Sequence, residues 1–281
     1  MKKLLLCSIL LTAHMQNIQA FKSFFSSTSA AKKPKAQMIQ IYQDADHEKV
    51  YKEIYEVGKD KEIDVIILVV DHGGGWAKEL CQITDIIKAA KKQKPIIAFI
   101  LGTAGSAGYF FAHQADYLIA HSYSEIGHMG TIYPILRDTN LESKAENGIN
   151  SKKSVEYIKI GKYTGMLNQY ATPITEEQKK HVKEYLEEVS GIGLKSVAKE
   201  RNLKIEDKSI WADGKIFLAA EALELKLIDK IGTIFDLEKI ALNLLEKRYP
   251  DKTFGKEIEL IFPKQDNKAQ SCLKWWQKLR N

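Results

Sequence analysis

Apolar runs separated by polar segments divide the first half of the chain into short units. Residues 38–42 alternate between apolar and polar side chains, as in a half-buried strand. Three later runs, at residues 65–70, 96–101 and 117–120, are continuously apolar, as in parallel strands that are buried on both faces. The segments between the runs carry apolar residues at helical spacing. This alternation predicts βαβ units with right-handed crossovers, and therefore an α/β fold with a mostly parallel sheet.

The second half of the chain is predicted to be mainly helical. Thr175 with Gln178 three positions later forms a capping-box pattern, which predicts the start of a long helix. Two shorter helices are expected at residues 219–225 and 236–246, and residues 257–262 alternate like an edge strand.

The amino-terminal segment differs in character from the rest of the chain. Residues 1–20 join a basic start to a short apolar run, which is the layout of a secretory signal peptide. We therefore expect export to the periplasm or to the extracytoplasmic face of a membrane, with an uncleaved anchor as the alternative. Residues 21–37 are expected to be a linker, residues 38–249 a single folded domain, and residues 250–281 a tail with an edge strand and a basic helix containing two tryptophans.

Composition and charge narrow the functional classes. The 42 basic and 36 acidic side chains give a net charge of +6, but lysines and glutamates are interspersed, so we expect no nucleic-acid partner.

Without the leader only Cys81 and Cys272 remain, which is too few for a disulfide framework, and Cys81 is expected in the core. Histidines and cysteines lack ligand spacing, so neither a metal nor a cofactor is expected. The pair Trp275 and Trp276 is expected to pack in the core or against a partner, with a membrane surface as the alternative.

Ser106 is the candidate nucleophile. It stands between a predicted strand and a predicted helix, in a segment from Gly102 to Gly108 where its neighbours have small side chains. Such a junction exposes the hydroxyl and lets a substrate backbone approach closely. The alternative is that Ser106 merely caps the following helix.

A second glycine-rich turn, Gly73-Gly74-Gly75, follows Asp71-His72 at the end of the first buried strand. Its backbone N–H groups are suited to an anion, including the oxyanion of a tetrahedral intermediate. An ordinary βα turn or a phosphate cradle is the alternative, although no phosphate-loop motif is present. Both glycine turns leave the carboxyl ends of strands, so they are expected to face the same crevice.

The order of these motifs resembles peptidase family S49, the signal peptide peptidase and protease IV type, over about residues 62–240. The resemblance is carried by the following segments: residues 73–75, 104–109, 115–120, 127–130, 160–163, 175–177, 212–215 and 222–229. It implies a ClpP/crotonase-like spiral of ββα units with a helical carboxyl-terminal extension, and residues 38–249 as the peptidase domain. It further implies Ser106 as nucleophile and Gly73, Gly74, Gly75 and Ala107 as the oxyanion and substrate-binding residues. The expected activity is cleavage of hydrophobic peptides, such as remnants of signal peptides, through an acyl-enzyme, by subunits that self-associate into a ring or dome.

The family's general base is a lysine, and its usual motif position is occupied here by Thr164, which cannot serve as that base. Lys159 and Lys162 lie close by, and the sequence gives no preference between them. Either would need desolvation to lower its pKa from about 10.4. The expected catalytic pair is therefore Ser106 with one of these two lysines.

Two further positions depart from the family pattern. Asp71-His72 replaces a Ser-Pro pair, and His128 replaces a serine that supports the lysine in the family. Our hypothesis is that His128 takes part in activating Ser106, as a neutral acceptor or as the base itself; a weakened enzyme is the alternative.

Three rival functions share some of these features. An α/β-hydrolase lipase would use similar glycine and serine motifs, but here only one helix and one strand separate them, and the last histidine, His181, lies in a charged helix. A crotonase-type acyl-CoA enzyme would share the fold without needing Ser106. An inactive assembly protein would keep the scaffold alone, and Thr164 favours that rival.

Overall fold

The computed structural model of the protein describes residues 33–75, 77–133 and 174–263. Within these ranges eight strands form one sheet, accompanied by seven α-helices. The strands are β1 (Lys35–Tyr42), β2 (Val65–His72), β3 (Ile96–Gly105), β4 (Tyr117–Ala120), β5 (Glu125–Gly127), β6 (Ile216–Leu218), β7 (Lys230–Ile231) and β8 (Glu259–Ile261). The helices are α1 (His47–Lys59), α2 (Ala77–Lys91), α3 (Ala107–Ala112), α4 (Glu176–Glu200), α5 (Lys208–Trp211), α6 (Ala219–Glu224) and α7 (Leu237–Arg248).

The sheet is parallel except where β5 meets β6. Its strand order is β6-β5-β3-β2-β1-β8, and β4 pairs with β3 and β7 beside this path. β3 pairs with β4 over residues Ile97–Ile100 and with β5 over residues Thr103–Gly105, so the sheet divides halfway along this strand. The predicted α/β fold with a mostly parallel sheet is confirmed.

Both faces of the central strands are buried. Ile66, Leu68 and Val70 of β2 point into a core beneath α1, α2 and α3, whereas Val65 and Ile67 point into a second core beneath α7. Successive side chains of a strand face opposite sides of the sheet, so a strand covered on both faces must be apolar throughout. This explains why the run at residues 65–70 shows no alternation.

The first strand begins at Lys35, three residues before the predicted start of the folded domain at residue 38. Ala36 is fully buried and pairs with both β2 and β8, and the Lys35 N–H donates to the Asp64 carboxylate at 2.9 Å. These tertiary partners extend the strand into a segment whose composition resembles a linker. The predicted edge strand at residues 257–262 is confirmed as β8, although it is shorter.

β3 also differs from expectation, because it runs to Gly105 instead of ending at Leu101. The predicted turn at residues 102–105 is strand, held by pairing with β5. A side chain at Gly102 would crowd Asp71, since its Cβ would lie 2.5 Å from Oδ1 of that carboxylate.

Two further expectations have different outcomes. The capping box of Thr175 and Gln178 is confirmed at the start of α4. The expectation that Cys81 lies in the core is wrong, because its side chain is exposed. Cys81 precedes the buried Ile83 by two positions, which places it about 200° away around the helix. The leader at residues 1–20 and the Trp275-Trp276 pair lie outside the described residues.

No helix in the described ranges combines the length and the apolar character needed to cross a membrane.

The contact between α3 and α4 contains a buried histidine, His113. Its Nδ1 lies 3.2 Å from the carbonyl oxygen of Tyr109, and its Nε2 lies 3.0 Å from the hydroxyl of Ser196 on α4. Burial lowers the pKa of His113 to about 4, although its backbone hydrogen bond to Tyr109 opposes the shift. The folded protein therefore holds this imidazole neutral at pH values where an unfolded chain would protonate it.

This histidine should make the protein sensitive to acid. Because the pKa is lower in the folded state, the stability it confers is complete above pH 6.5 and is lost as the pH falls toward 4. From pH 7.5 to pH 5 we expect His113 to account for a loss of about 2 kcal/mol in the free energy of unfolding. Urea denaturation of the wild type and His113→Gln at both pH values measures this difference.

Candidate active site

The two glycine turns meet at the carboxyl ends of β2 and β3. An atom placed at the Cβ position of Gly74 would lie 3.0 Å from Cβ and 3.5 Å from Oγ of Ser106. Neighbouring parallel strands end at the same edge of a sheet, which brings these sequence-distant turns together. The expectation that the two turns lie together is confirmed.

Ser106 occupies a sharp strand-to-helix junction. Its backbone has φ 48° and ψ −113°, a conformation that non-glycine residues rarely adopt. The junction is fixed on both sides, since the Ser106 N–H donates to the Gly127 carbonyl at 2.7 Å and its own carbonyl accepts from Phe110 at 3.0 Å. The side chain makes no capping hydrogen bond to α3, so the alternative role as a helix cap is wrong. The hydroxyl is thus held at a strained turn without a capping function.

Glycines around Ser106 allow backbones to approach more closely than side chains would permit. A Cβ on Gly105 would lie 2.8 Å from the carbonyl oxygen of Gly73, and one on Gly108 would lie 2.0 Å from the carbonyl oxygen of His72. Because these glycines have no side chains, the backbone at the end of β2 can lie in direct contact with the Ser106 turn.

The amides predicted to bind an oxyanion fall into two groups. The N–H of Gly73 donates to Oε1 of Gln43 at 2.8 Å, and the N–H of Gly74 donates to Nδ1 of His72 at 3.2 Å. For Gly75 and Ala107, no N–H hydrogen bond is found among the described residues. Gly74 is the glycine of this turn whose Cβ position lies against Ser106, and its hydrogen bond to His72 is the longer of the two.

The pair Asp71-His72, which departs from the family pattern, has structural roles. The register between β2 and β3 shifts at this point, and Oδ1 of Asp71 accepts the N–H of Thr103 at 2.8 Å across the irregularity. His72 is 1% exposed and packs edge-on against Phe111. Burial lowers the pKa of His72, the nearby His47 lowers it further, and Asp71 opposes the shift. A neutral imidazole can accept the Gly74 N–H through Nδ1.

His128 lies one residue beyond the carbonyl that holds the Ser106 amide. It is exposed, its backbone has φ 51°, and its N–H donates to the Lys215 carbonyl at 2.6 Å. The structure thus places His128 in the chain segment beside the nucleophile, at the junction with β6. Lys159, Lys162 and Thr164 lie outside the described residues.

One residue of this region, Gln43, was missed by sequence reasoning. It follows the last residue of β1 and contacts the glycine turn from the side opposite β3. No motif marks it. The available signal was topological, since the carboxyl end of β1 lies beside that of β2 in a parallel sheet.

Comparison with known protein families identifies two matches. The family model described as peptidase family S49 matches residues 88–246, which is more than half of the chain. This match confirms the resemblance that the motifs indicated. A second model, described as CoA-ligase, matches residues 11–122, which is less than half.

The chain is similar to several proteins that are named as proteases, two of which are described here. A protein of Methanocaldococcus jannaschii that is named as a protease is 30% identical over 192 residues, covering 68% of this chain and 58% of the relative. A protein of Enterococcus faecium named as signal peptide peptidase SppA is 28% identical over 210 residues, covering 74% of this chain and 58% of the relative. The chain thus spans 58% of the length of each of these relatives.

Solved structures of 1510-N, a membrane-bound stomatin-specific protease, share the fold. A serine-to-alanine mutant matches with a TM-score of 0.53 and 17% identity, covering 84% of this chain and all of that chain. A lysine-to-alanine mutant in complex with a substrate peptide matches with a TM-score of 0.51 and 16% identity, covering 88% and 99%. Because the sequence identity is only 16% to 17%, the similarity concerns the fold alone. It agrees with the ClpP-like architecture expected from the motifs.

Proposed function

The chain belongs to peptidase family S49, and from this premise we propose that it is a serine peptidase in which Ser106 is the nucleophile. The observation that carries the proposal is the conformation of Ser106. A serine held at φ 48°, without a capping hydrogen bond and opposite a glycine turn, has backbone strain that a structural role does not explain. Strain of this kind is concentrated at functional sites.

The proposed reaction proceeds through an acyl-enzyme. Oγ of Ser106 attacks the carbonyl carbon of the scissile peptide bond while a lysine, Lys159 or Lys162, takes the hydroxyl proton. The tetrahedral intermediate collapses, the C–N bond breaks, and the lysine returns the proton to the leaving amine. Water then attacks the ester with the same base, and Ser106 and the carboxylic acid product are released.

We assign the oxyanion to the amides of Gly74 and Ala107. Ala107 follows the nucleophile directly, and Gly74 is the loop residue that lies against Ser106. In the free enzyme the Gly74 N–H donates to neutral His72 at 3.2 Å. A hydrogen bond to an oxyanion is charge-assisted and roughly twice as strong as one between neutral groups, so the developing charge competes effectively with His72 for this donor.

His128 is proposed to assist the base. Its segment carries the Gly127 carbonyl that fixes the Ser106 amide, so a change at this position acts directly on the nucleophile's turn. Replacing His128 with the serine typical of the family tests whether the imidazole influences the pH dependence of acylation.

The substrates are proposed to be extended hydrophobic peptides, such as remnants of signal peptides. This proposal is supported by the name of the Enterococcus faecium relative and by the substrate peptide in one of the fold neighbours. Export, association with a membrane surface and self-association into a ring or dome are proposed with it, on the basis of the leader pattern at residues 1–20 and of family membership.

Rival functions receive less support. The α/β-hydrolase alternative is set aside, because the chain belongs to a different family and only α2 and β3 lie between the two glycine turns. An acyl-CoA enzyme or an inactive scaffold would not require a strained serine, and each predicts an unreactive Ser106.

Reactivity of Ser106 toward a fluorophosphonate is the direct test. We expect the folded wild type to be phosphonylated at a single site, which peptide mass spectrometry assigns to Ser106. Ser124, buried with its hydroxyl donating to the Ile100 carbonyl, is an internal reference that should stay unlabelled. Heat-denatured protein should lose the labelling, because the reactivity depends on the folded site.

Fluorophosphonate labelling of the lysine variants tests which lysine is the base. Lys159→Met or Lys162→Met, whichever removes the base, should slow labelling by about 10²-fold to 10⁴-fold, and the other should label normally. An unreactive wild type would favour an inactive scaffold, and modification of a serine other than 106 would contradict the assignment of the nucleophile.

A further inference from the structure

The glycine turn opposite Ser106 is held from its outer side by Gln43. The ladder between β1 and β2 has its last pair at Tyr42 and Asp71, and the Gln43 N–H still donates to the Asp71 carbonyl at 3.1 Å. Beyond this point β1 has ended, and β2 is followed by the three glycines 73–75. A run of glycines has more conformational freedom than any other sequence, so its position must be fixed by neighbours.

The side-chain amide of Gln43 supplies this restraint through two hydrogen bonds. Its Oε1 accepts the N–H of Gly73 at 2.8 Å, and its Nε2 donates to the carbonyl of Gly74 at 2.9 Å. The bonds bracket the Gly73–Gly74 segment, one at each end. The amide thereby acts like one further residue of β1, offering an acceptor and a donor where the backbone ladder has stopped.

The bracketed segment is the one that approaches the nucleophile. Gly74 has φ 135°, which side chains rarely allow, and its Cβ position is 3.0 Å from Cβ of Ser106. On the inner side, the carbonyl oxygen of Gly73 lies 2.8 Å from the Cβ position of Gly105. The turn is thus placed between Gln43 on one side and the end of β3 on the other.

We propose that Gln43 is a positioning residue for the reaction at Ser106, because it fixes the Gly73–Gly74 backbone where the oxyanion site is formed. This inference rests on the proposed function. Gln43 does not touch the reacting atoms, and it acts through Gly74.

The chemistry of the two hydrogen bonds explains why glutamine is required. An ionised glutamate can accept from Gly73 but cannot donate to Gly74, and its charge would face the Gly74 carbonyl. Alanine offers neither bond. A glutamate that takes up a proton regains a donor and has nearly the same shape as glutamine.

The experiment compares Gln43→Ala and Gln43→Glu with the wild type. Fluorophosphonate labelling rates give the reactivity of Ser106, and hydrolysis of fluorescein-labelled casein gives kcat and KM. Gln37→Ala is the matched control, because Gln37 lies on the same strand and, within the described ranges, its side chain donates only to the adjacent Met38 carbonyl. Circular dichroism melting curves show whether each variant is folded.

For Gln43→Ala we expect labelling and kcat to fall by about tenfold to a hundredfold with little change in KM, since oxyanion geometry affects the transition state. Gln43→Glu should be similarly slow at pH 7.5, and its rate relative to wild type should rise by about fivefold at pH 5 as the introduced carboxyl becomes protonated. Gln37→Ala should match the wild type.

The outcomes that would contradict the positioning role of Gln43 can be distinguished from the outcome that would contradict the proposed function. If the wild type is labelled at Ser106 and Gln43→Ala has the same labelling rate and kcat, the positioning role is wrong although the proposed function stands. A lower melting temperature with unchanged kcat per folded molecule would also overturn the positioning role, since it would indicate a structural role alone. A wild type that is not labelled overturns the proposed function, and this inference with it.

Discussion

Replacing Ser106 with alanine is expected to lower peptide hydrolysis by about 10⁴-fold or more, because no other group in the proposed mechanism can form the acyl-enzyme. The fold should survive the change. The Ser106 side chain makes no capping hydrogen bond, and the backbone contacts to Gly127 and Phe110 do not depend on the hydroxyl. We therefore expect the free energy of unfolding to change by less than about 0.5 kcal/mol. Initial rates on a casein substrate and urea denaturation of the same preparation measure both quantities.

A glycine at this position separates the loss of the nucleophile from the strain of the turn. Ser106→Gly should be as inactive as the alanine variant, yet about 1 kcal/mol more stable, because glycine adopts φ 48° without the penalty that a Cβ brings. Ser122→Ala, at an exposed position before β5, should change neither property. Residual hydrolysis by Ser106→Ala near the wild-type rate would remove Ser106 from the mechanism. A glycine variant less stable than the alanine variant would show that the turn is unstrained.

These two variants together test a general relation between strain and function. A residue kept in an unfavourable conformation lowers stability, and such a residue persists when the conformation serves the reaction. Here the conformation turns the Ser106 hydroxyl away from a capping role and sets it opposite Gly74. A Ser106→Gly protein that is more stable but inactive would show directly that the conformation at this position lowers stability and that the serine is needed for the reaction.

The main architecture could be predicted because the strongest physical signals in the sequence are local. The continuously apolar run in β2 indicated a strand buried on both faces, and the glycine turns after β2 and β3 were expected to lie together, as they do. Both predictions follow from the geometry of parallel sheets and need no side-chain detail. Ser106 could be singled out for the same reason, since a serine among small residues at such a junction is a local pattern.

Features that depend on tertiary partners could not be predicted in the same way. The extension of β3 to Gly105 depends on pairing with β5, whose three residues carry no strand signal of their own. The role of Gln43 depends on the place where β1 stops beside β2, and the engagement of the Gly74 amide depends on the buried ring of His72. A polar residue after a strand is common, and only the three-dimensional neighbourhood distinguishes this one.

The catalytic base shows the limit of motif reasoning most clearly. The family position for the lysine reads Thr164, so the assignment to Lys159 or Lys162 depends on where their segment lies relative to Ser106. All three residues lie outside the described ranges. Their role therefore stays a prediction, which the lysine variants test chemically.

The second large effect is expected for Gly108→Ala, which should lower the free energy of unfolding by about 3 kcal/mol. The added Cβ would lie 2.0 Å from the carbonyl oxygen and 3.0 Å from the carbonyl carbon of His72. Neither is the end of a flexible side chain, so α3 or the end of β2 must shift. The backbone of α3 continues directly from Ser106, and such a shift also displaces the nucleophile relative to Gly74. A misplacement of about 1 Å lowers a rate by roughly 10²-fold, so the folded fraction should also be slow.

Gly191→Ala is the matched control for this change. Gly191 lies within α4, and its Cβ position has no neighbour within 4 Å. Alanine there should raise the free energy of unfolding by about 0.5 to 1 kcal/mol, because it favours the helix without a clash. Urea denaturation of the two variants therefore should give opposite signs for the same chemical change. A Gly108→Ala protein as stable as the wild type would show that α3 and the end of β2 can move apart at little cost, and the close packing of these two elements would not fix the position of Ser106 relative to Gly74.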